Sequence, residues 1–247
     1  MVKIKVDLWK TGLHGVEVGI KKKEELMARS RRFTKDMDLY GKVEVDDEDY
    51  GYVGYRKGLW EETDPMEKRL VVRLFSKDVE YLGSIDENIG RAIALTMINE
   101  EPSPAFVIAQ AGIRLVYPIE KIRPRFAEPD TFLLTYINKE NVLRPILIKS
   151  KRLALGSDWK VVDLNTGKEI AKVDGKILDI GGEWEIKTKE EDEILWRNLM
   201  LFAATLKFYD DIKEKLETLI KDITSAKRYI KLSRGDAGFF YNPRLRR

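Results

Sequence analysis

The chain has 247 residues, with 45 Lys and Arg against 42 Asp and Glu and a formal charge of +3, long enough for one large domain or two modest ones. It holds no cysteine and one histidine, His14. Disulfides, thiolate zinc sites and a cysteine nucleophile are therefore excluded, and Ser-His-Asp chemistry would have only a turn residue as its base.

Met1 to Leu8 alternates basic and apolar residues, unlike the basic start and apolar run of a signal peptide. A cytoplasmic protein is expected. Charged residues make up 35% and Gln110 is the only glutamine, a composition of the kind found in hyperthermophile proteins. No cofactor is expected.

Val2, Ile4, Val6 and Leu8 alternate with polar residues, as do Val16, Val18 and Ile20, which predicts two strands about a turn. Lys21–Phe33 reads as a short basic helix, with its Lys and Arg stems lying over the surface. Asp46–Asp49 is a solvated turn that lacks the ligand spacing of a calcium loop. The run Tyr50-Gly51-Tyr52-Val53-Gly54-Tyr55 resembles the RNP1 strand of RRM domains, where aromatics on one face stack on bases. Tyr50 and Tyr52 would share that face, with Tyr55 also in register with the motif. Glu48 and Asp49 stand where the motif has a basic residue and a glycine.

Lys68–Phe75 is a strand. Ser84 with Glu87 is a capping box, opening a helix through Ile85, Ile89, Ile93 and Met97. Glu101-Pro102-Ser103-Pro104 breaks the chain into an N-terminal α+β region, 1–101, and a second region, 105–247, which can pack as one composite domain. Strands follow at Ala105–Ala109, Ile113–Tyr117, Thr131–Ile137, Val142–Lys149 and Leu153–Leu155. Two hairpins come next. Trp159–Asp163 turns into Glu169–Val173, and Lys176–Ile180 turns at Gly181-Gly182 into Glu183–Lys187.

Thr188 with Glu191 is a second capping box, followed by acids in the first turn. From Ile194 to Tyr209 the chain is apolar almost all round, and then amphipathic to Ile223. A single long helix is expected, its first half enclosed by protein. At about sixteen apolar residues, interrupted by Arg197 and Lys207, it falls short of the ~20 that a bilayer requires.

The run from Arg144 to Lys187 followed by this helix resembles the LURP-one-related proteins, which share the tubby C-terminal fold with the phospholipid scramblases. The likeness is carried by Ile146–Leu155, by Asp163–Lys176 with Gly167, Ile170, Ala171, Val173 and Gly175, by Trp184–Lys187, and by the Ile194–Tyr209 helix. It covers residues 143–223, and more loosely 105–223. It implies a twelve-stranded antiparallel barrel around the last helix and a non-catalytic binding scaffold, some tubby members binding lipid headgroups. The fold class is thus α+β: a mostly antiparallel barrel or strongly curved sheet around a buried C-terminal helix, with a smaller N-terminal α+β region.

Two further patterns bear on function. Asp174, Glu185 and Lys187 have the spacing of PD-(D/E)xK nucleases, where two carboxylates hold Mg²⁺ and a lysine steadies the attacking water. With a two-residue turn at Gly181-Gly182 the three fall on one face, alongside Leu178 and Ile180. Cross-strand ion pairs would write the same residues. The tail from Thr224 carries seven basic residues against Asp236, +6 in all against −3 for the rest. It interleaves Lys227, Arg228, Lys231, Arg234, Arg244, Arg246 and Arg247 with Tyr229, Phe239, Phe240 and Tyr241, a mixture suited to nucleic acid. An acidic protein or a membrane surface would be drawn by the same charges.

Overall fold

A computed structural model of the chain describes residues 1–8, 16–122, 129–151, 158–176 and 182–232. His14 and the strand expected at Leu153–Leu155 lie outside the described residues.

The first five strands are β1 (Val2–Leu8), β2 (Met37–Val45), β3 (Glu48–Arg56), β4 (Val71–Ser76) and β5 (Tyr81–Glu87). Next come β6 (Ala105–Gln110), β7 (Val116–Ile122), β8 (Thr131–Ile137) and β9 (Leu143–Ser150). The last three are β10 (Trp159–Asp163), β11 (Glu169–Lys176) and β12 (Glu183–Thr188). Each pairs antiparallel with its neighbour in sequence, and β1 pairs with β12, so these twelve described strands form a closed barrel. Closure leaves no unpaired edge. Both expected regions supply strands to this barrel. The Glu101–Pro104 break is a turn between α3 (Ile89–Asn99) and β6, in which the Ser103 amide donates to Thr96 Oγ1 at 3.0 Å.

The C-terminal helix fills the lumen. It is two helices, α4 (Glu193–Leu206) and α5 (Tyr209–Thr224), broken at Lys207 and Phe208. Leu195, Leu199, Met200, Leu201, Phe202, Ala203 and Ala204 of α4 are fully buried. They meet inward side chains from round the wall, including Ile4 and Val6 of β1, Leu74 of β4, Ile108 of β6 and Ile186 of β12. Phe202 packs edge-on against Phe132 of β8 and Trp159 of β10, at ring separations of 5.3 and 5.5 Å. The break exists because Phe208 turns into a cage of Tyr40, Tyr55 and Trp60, the last from the short α2 (Lys57–Trp60), with rings 5.0–5.8 Å away. From there α5 lies against α3 and covers that end of the barrel.

Local expectations are corrected at three places. Val16–Ile20 belongs to α1 (Val16–Arg29) and not to a strand, because both edges of β1 are already taken by β2 and β12. Ser84 and Glu87 lie in β5, and the cap of α3 is Asn88, whose side chain accepts from the Arg91 amide. Thr188 closes β12 by donating to the Ile170 carbonyl, and Asp192 caps α4 by accepting from the Ile194 amide at 3.1 Å. In the last two cases a short polar residue near a helix start was available, but the strand claimed it first.

Polar groups at the helix ends are matched by the wall. Tyr136 donates to Asp192 at 3.1 Å, Gln110 Nε2 donates to the Ile194 carbonyl at 2.9 Å, and Tyr40 donates to the Ala204 carbonyl at 3.2 Å. Lys215 of α5 reaches inward to Glu87 of β5, both nearly inaccessible. Burial pulls the lysine's pKa below its ordinary value, with the Glu87 carboxylate opposing the shift. Removing one member of such a pair strands the other charge. Lys215→Met should therefore lose about 3–5 kcal/mol in chemical denaturation, and adding Glu87→Met should recover most of it.

At the other end Arg144 grips Asp163 and Glu190, the latter at 2.6 Å, tying β9, β10 and the approach to α4. Burial would raise the Asp163 pKa, but hydrogen bonds from Arg144 and the Thr166 amide hold it below its ordinary 3.8. The stabilisation is therefore complete above that value and is lost as pH falls through the lower folded one. Thermal melts from pH 6 down to about pH 2 should show this acid loss, and Arg144→Met should flatten it.

Candidate anion-binding groove

With the lumen filled, concave surface is found on the outer wall. Helix α1 lies on the outside of the barrel, pinned by an apolar cluster of Leu26, Phe33, Met37, Phe75 and Val79. The helix ends there because Ser30 folds the chain back. Its amide donates to the Leu26 carbonyl at 2.8 Å, its hydroxyl accepts from the Arg32 amide, and its carbonyl accepts from Phe33. This turn sets Arg29, Arg31 and Arg32 along one rim of a groove.

The floor is the outer face of β4–β7, carrying Arg73, Ser84, Asp86, Val107, Ala109 and Val116. The opposite rim is the β6–β7 connection, where Gly112 takes a φ of 76° and Arg114 follows. The β4–β5 turn closes one end. Val79 holds a φ of 65° there, unusual for a β-branched residue, and its burial among Leu26, Phe33 and Phe75 offsets the strain. The groove holds about 1000 Å³.

Its lining is cationic. Five arginines face three acids, Asp78, Glu80 and Asp86, and Asp86 is engaged by Arg73. Burial alone would lower the Arg73 pKa, but the Asp86 charge outweighs it and raises the pKa instead. Arg32 lies over the Tyr81 ring at 5.0 Å, and Arg29 pairs with Glu25 at 3.5 Å. Arg31 is exposed and has no ion pair among the described residues. Tyr81 donates to Ser84 Oγ at 3.2 Å, adding hydroxyls to the guanidinium groups. Guanidinium forks and hydroxyls are the donors that phosphate oxygens accept from. Among the described residues no histidine or cysteine lines the groove, and its buried carboxylate, Asp86, is tied up in a salt bridge. The arrangement can hold an anion.

The residues singled out from the sequence lie elsewhere. In β3 the register shifts opposite Val43 and Glu44, and this bulge separates Tyr50 from Tyr52. Tyr50 donates to Glu193 at 2.7 Å and accepts from Arg197, with burial pushing its pKa up to about 12. Tyr52 is 8% exposed and lies under the Lys22 ammonium, while Tyr55 packs on Tyr40 and Phe208. The expected shared stacking face is therefore absent. Gly51 serves packing: a Cβ there would sit 1.9 Å from the Phe75 carbonyl oxygen.

Asp174, Glu185 and Lys187 do come together on the outside of β11 and β12, with Asp174 directly opposite Glu185. Lys176 pairs with Glu183, a register that a two-residue turn at Gly181-Gly182 would not give, and residues 177–181 lie outside the described residues. Lys187 bonds to Glu185 and lies 3.9 Å from Asp174, Lys3 is 3.3 Å from Glu185, and Lys151 is 3.5 Å from Asp174. Among the described residues no group of three acidic or imidazole side chains could hold a metal.

Of the basic tail, Arg228 docks on Asp64 at 2.6 Å, and Lys227, Tyr229 and Lys231 are exposed. Arg234, Phe239, Phe240, Tyr241, Arg244, Arg246 and Arg247 lie outside the described residues. The groove's one sequence signal is the Arg29-Ser30-Arg31-Arg32 run. Arg73 and Arg114 join it only through the barrel's register.

No protein-family model, curated protein or solved structure matches this chain. Asp174→Asn and Glu185→Gln should each cost about 1 kcal/mol or less in urea denaturation, as expected where exposed ion pairs on a wall are removed.

Proposed function

We propose that this chain is a non-enzymatic binding protein built on a tubby-like barrel, and that its outer groove takes a phosphorylated small molecule. The observation that carries this is the convergence of five arginines with serine and tyrosine hydroxyls in one groove that, among the described residues, has no uncommitted buried acid or base. A closed twelve-stranded antiparallel barrel around a central helix is consistent with tubby-like kinship. We further propose a cytoplasmic protein of a thermophile, in keeping with the Lys- and Glu-rich composition and the ion-pair ladders on the outer wall.

Calorimetric titration with inorganic phosphate, pyrophosphate, ATP and inositol hexakisphosphate tests the groove. Binding should strengthen with phosphate number and weaken with salt. Arg31→Glu with Arg32→Glu should weaken it by about tenfold or more, because each lost charge-assisted hydrogen bond is worth roughly 1.5–3 kcal/mol. Absence of binding by all four probes, or binding unaffected by the double substitution, would remove the groove as the site.

A further inference from the structure

The barrel's register places a file of lysines across a different arc of the wall. Lys149 of β9 is the cross-strand partner of Lys160 of β10, and Lys160 is that of Lys172 of β11. Lys172 in turn faces Lys187 of β12, and Lys187 faces Lys3 of β1. Their sequence neighbours Ile148, Val161, Val173, Ile186 and Ile4 are buried inside, so by strand alternation all five lysines point outward. At about 4.8 Å between strands, the file runs roughly 19 Å across the sheet.

Like charges directly opposite on adjacent strands repel. A closed barrel fixes its register, so these lysines cannot slip apart. Part of the charge is met locally: Glu185 serves Lys3 and Lys187, and Glu169 lies 3.4 Å from Lys172. Lys149 and Lys160 have no carboxylate at ion-pair distance among the described residues.

The two flanks of the file differ. On one side Asp174 and Glu185 form an acidic pair across β11 and β12, met by Lys151 beside Asp174 and by Lys5 opposite Glu185. On the other, Leu133, Leu147 and Val162 lie side by side across β8, β9 and β10, half-buried on the outer face. Lysines with acids on one flank and apolar side chains on the other suit one backbone of phosphates with its bases turned to the apolar side. A flat anionic membrane offers no bases for the apolar flank to receive, and a duplex keeps its bases stacked inside.

We propose that the outer face of β9–β10–β11–β12–β1 is a track for single-stranded nucleic acid, with the lysine file on the phosphates. This track is independent of the arginine groove on β4–β7 and of whatever that groove holds.

The test is fluorescence anisotropy of the full chain with a labelled 20-nucleotide single strand of DNA or RNA, across a salt series. The matching duplex and vesicles containing phosphatidylserine serve as comparisons. Single strands should bind most tightly. Lys149→Glu with Lys160→Glu should weaken binding on the order of tenfold and reduce the salt slope by about 1.4, two phosphate contacts at 0.7 each. The same charge change at exposed Lys21 and Lys189 should leave the slope near its starting value. Circular dichroism melts check the fold, and Lys149→Gln with Lys160→Gln gives a milder form that should show the same direction. The track is overturned if single strands do not bind, or if the duplex or vesicles bind better. It is overturned equally if the Lys149 and Lys160 substitutions change nothing, as they would were the basic tail the binding element, or if the control substitutions act as strongly.

Discussion

A helix that is apolar on every side must be met by apolar atoms on every side, and the rest of this molecule follows from that demand. Two packed layers would bury one stripe of α4 and leave another in water. A sheet closed on itself meets it all round, and inward residues from β1, β4, β6, β8, β10 and β12 do so here. Burying such a helix gains on the order of 1.5–3 kcal/mol for each fully enclosed large side chain. The dependence is mutual: without α4 the barrel would enclose a void lined by Ile, Val, Leu and Phe side chains, and cavities in a core are costly.

Enclosure creates a second problem, because helix ends carry unpaired backbone groups that the lumen cannot hydrate. The wall supplies partners at the points of need. Tyr136 secures the capping Asp192 at the start of α4, and Tyr40 takes the Ala204 carbonyl in its last turn, while Gln110 adds bonds to the Ile194 carbonyl and the Asn198 side chain. The turn into α5 is held by aromatic rings around Phe208, and α5 then brings Lys215 down onto Glu87. Each contact joins residues far apart in sequence, so they position the helix along the barrel axis as well as inside it.

These relations explain which parts of the molecule could be read from its sequence. The enclosed helix was legible because all-round apolarity has few other meanings, and β8, β10 and the β10–β11 hairpin because alternation and turn glycines are local signals. What misled was also local. Thr188 with Glu191 and Ser84 with Glu87 satisfy a capping pattern, yet a strand partner or a buried lysine holds them instead. Val16–Ile20 alternates like a strand, but a barrel already closed by β1 and β12 has no edge to offer it. The groove was half visible in the arginines after α1. Arg73, Arg114 and the lysine file become neighbours only through register, a long-range quantity that no short window contains.

A filled lumen has a consequence for where function can reside. Barrels that carry a small ligand usually hold it inside; this one fills its inside with its own helix, which leaves the outer wall as the surface open to a ligand. That wall is charged where a lipid-facing barrel would be apolar. Its charge is sorted by arc. Arginines gather on β4–β7, where α1 and two connections make a concave seat with several directions of approach for donors. Lysines line up on β9–β1, where the wall is convex and no helix among the described residues covers it. Concave arginine favours a compact anion gripped by planar forks, while convex lysine favours an extended one met charge by charge. The same closed sheet can therefore present two cationic surfaces of different shape, the two proposed as anion sites, without either disturbing the core that holds both in register.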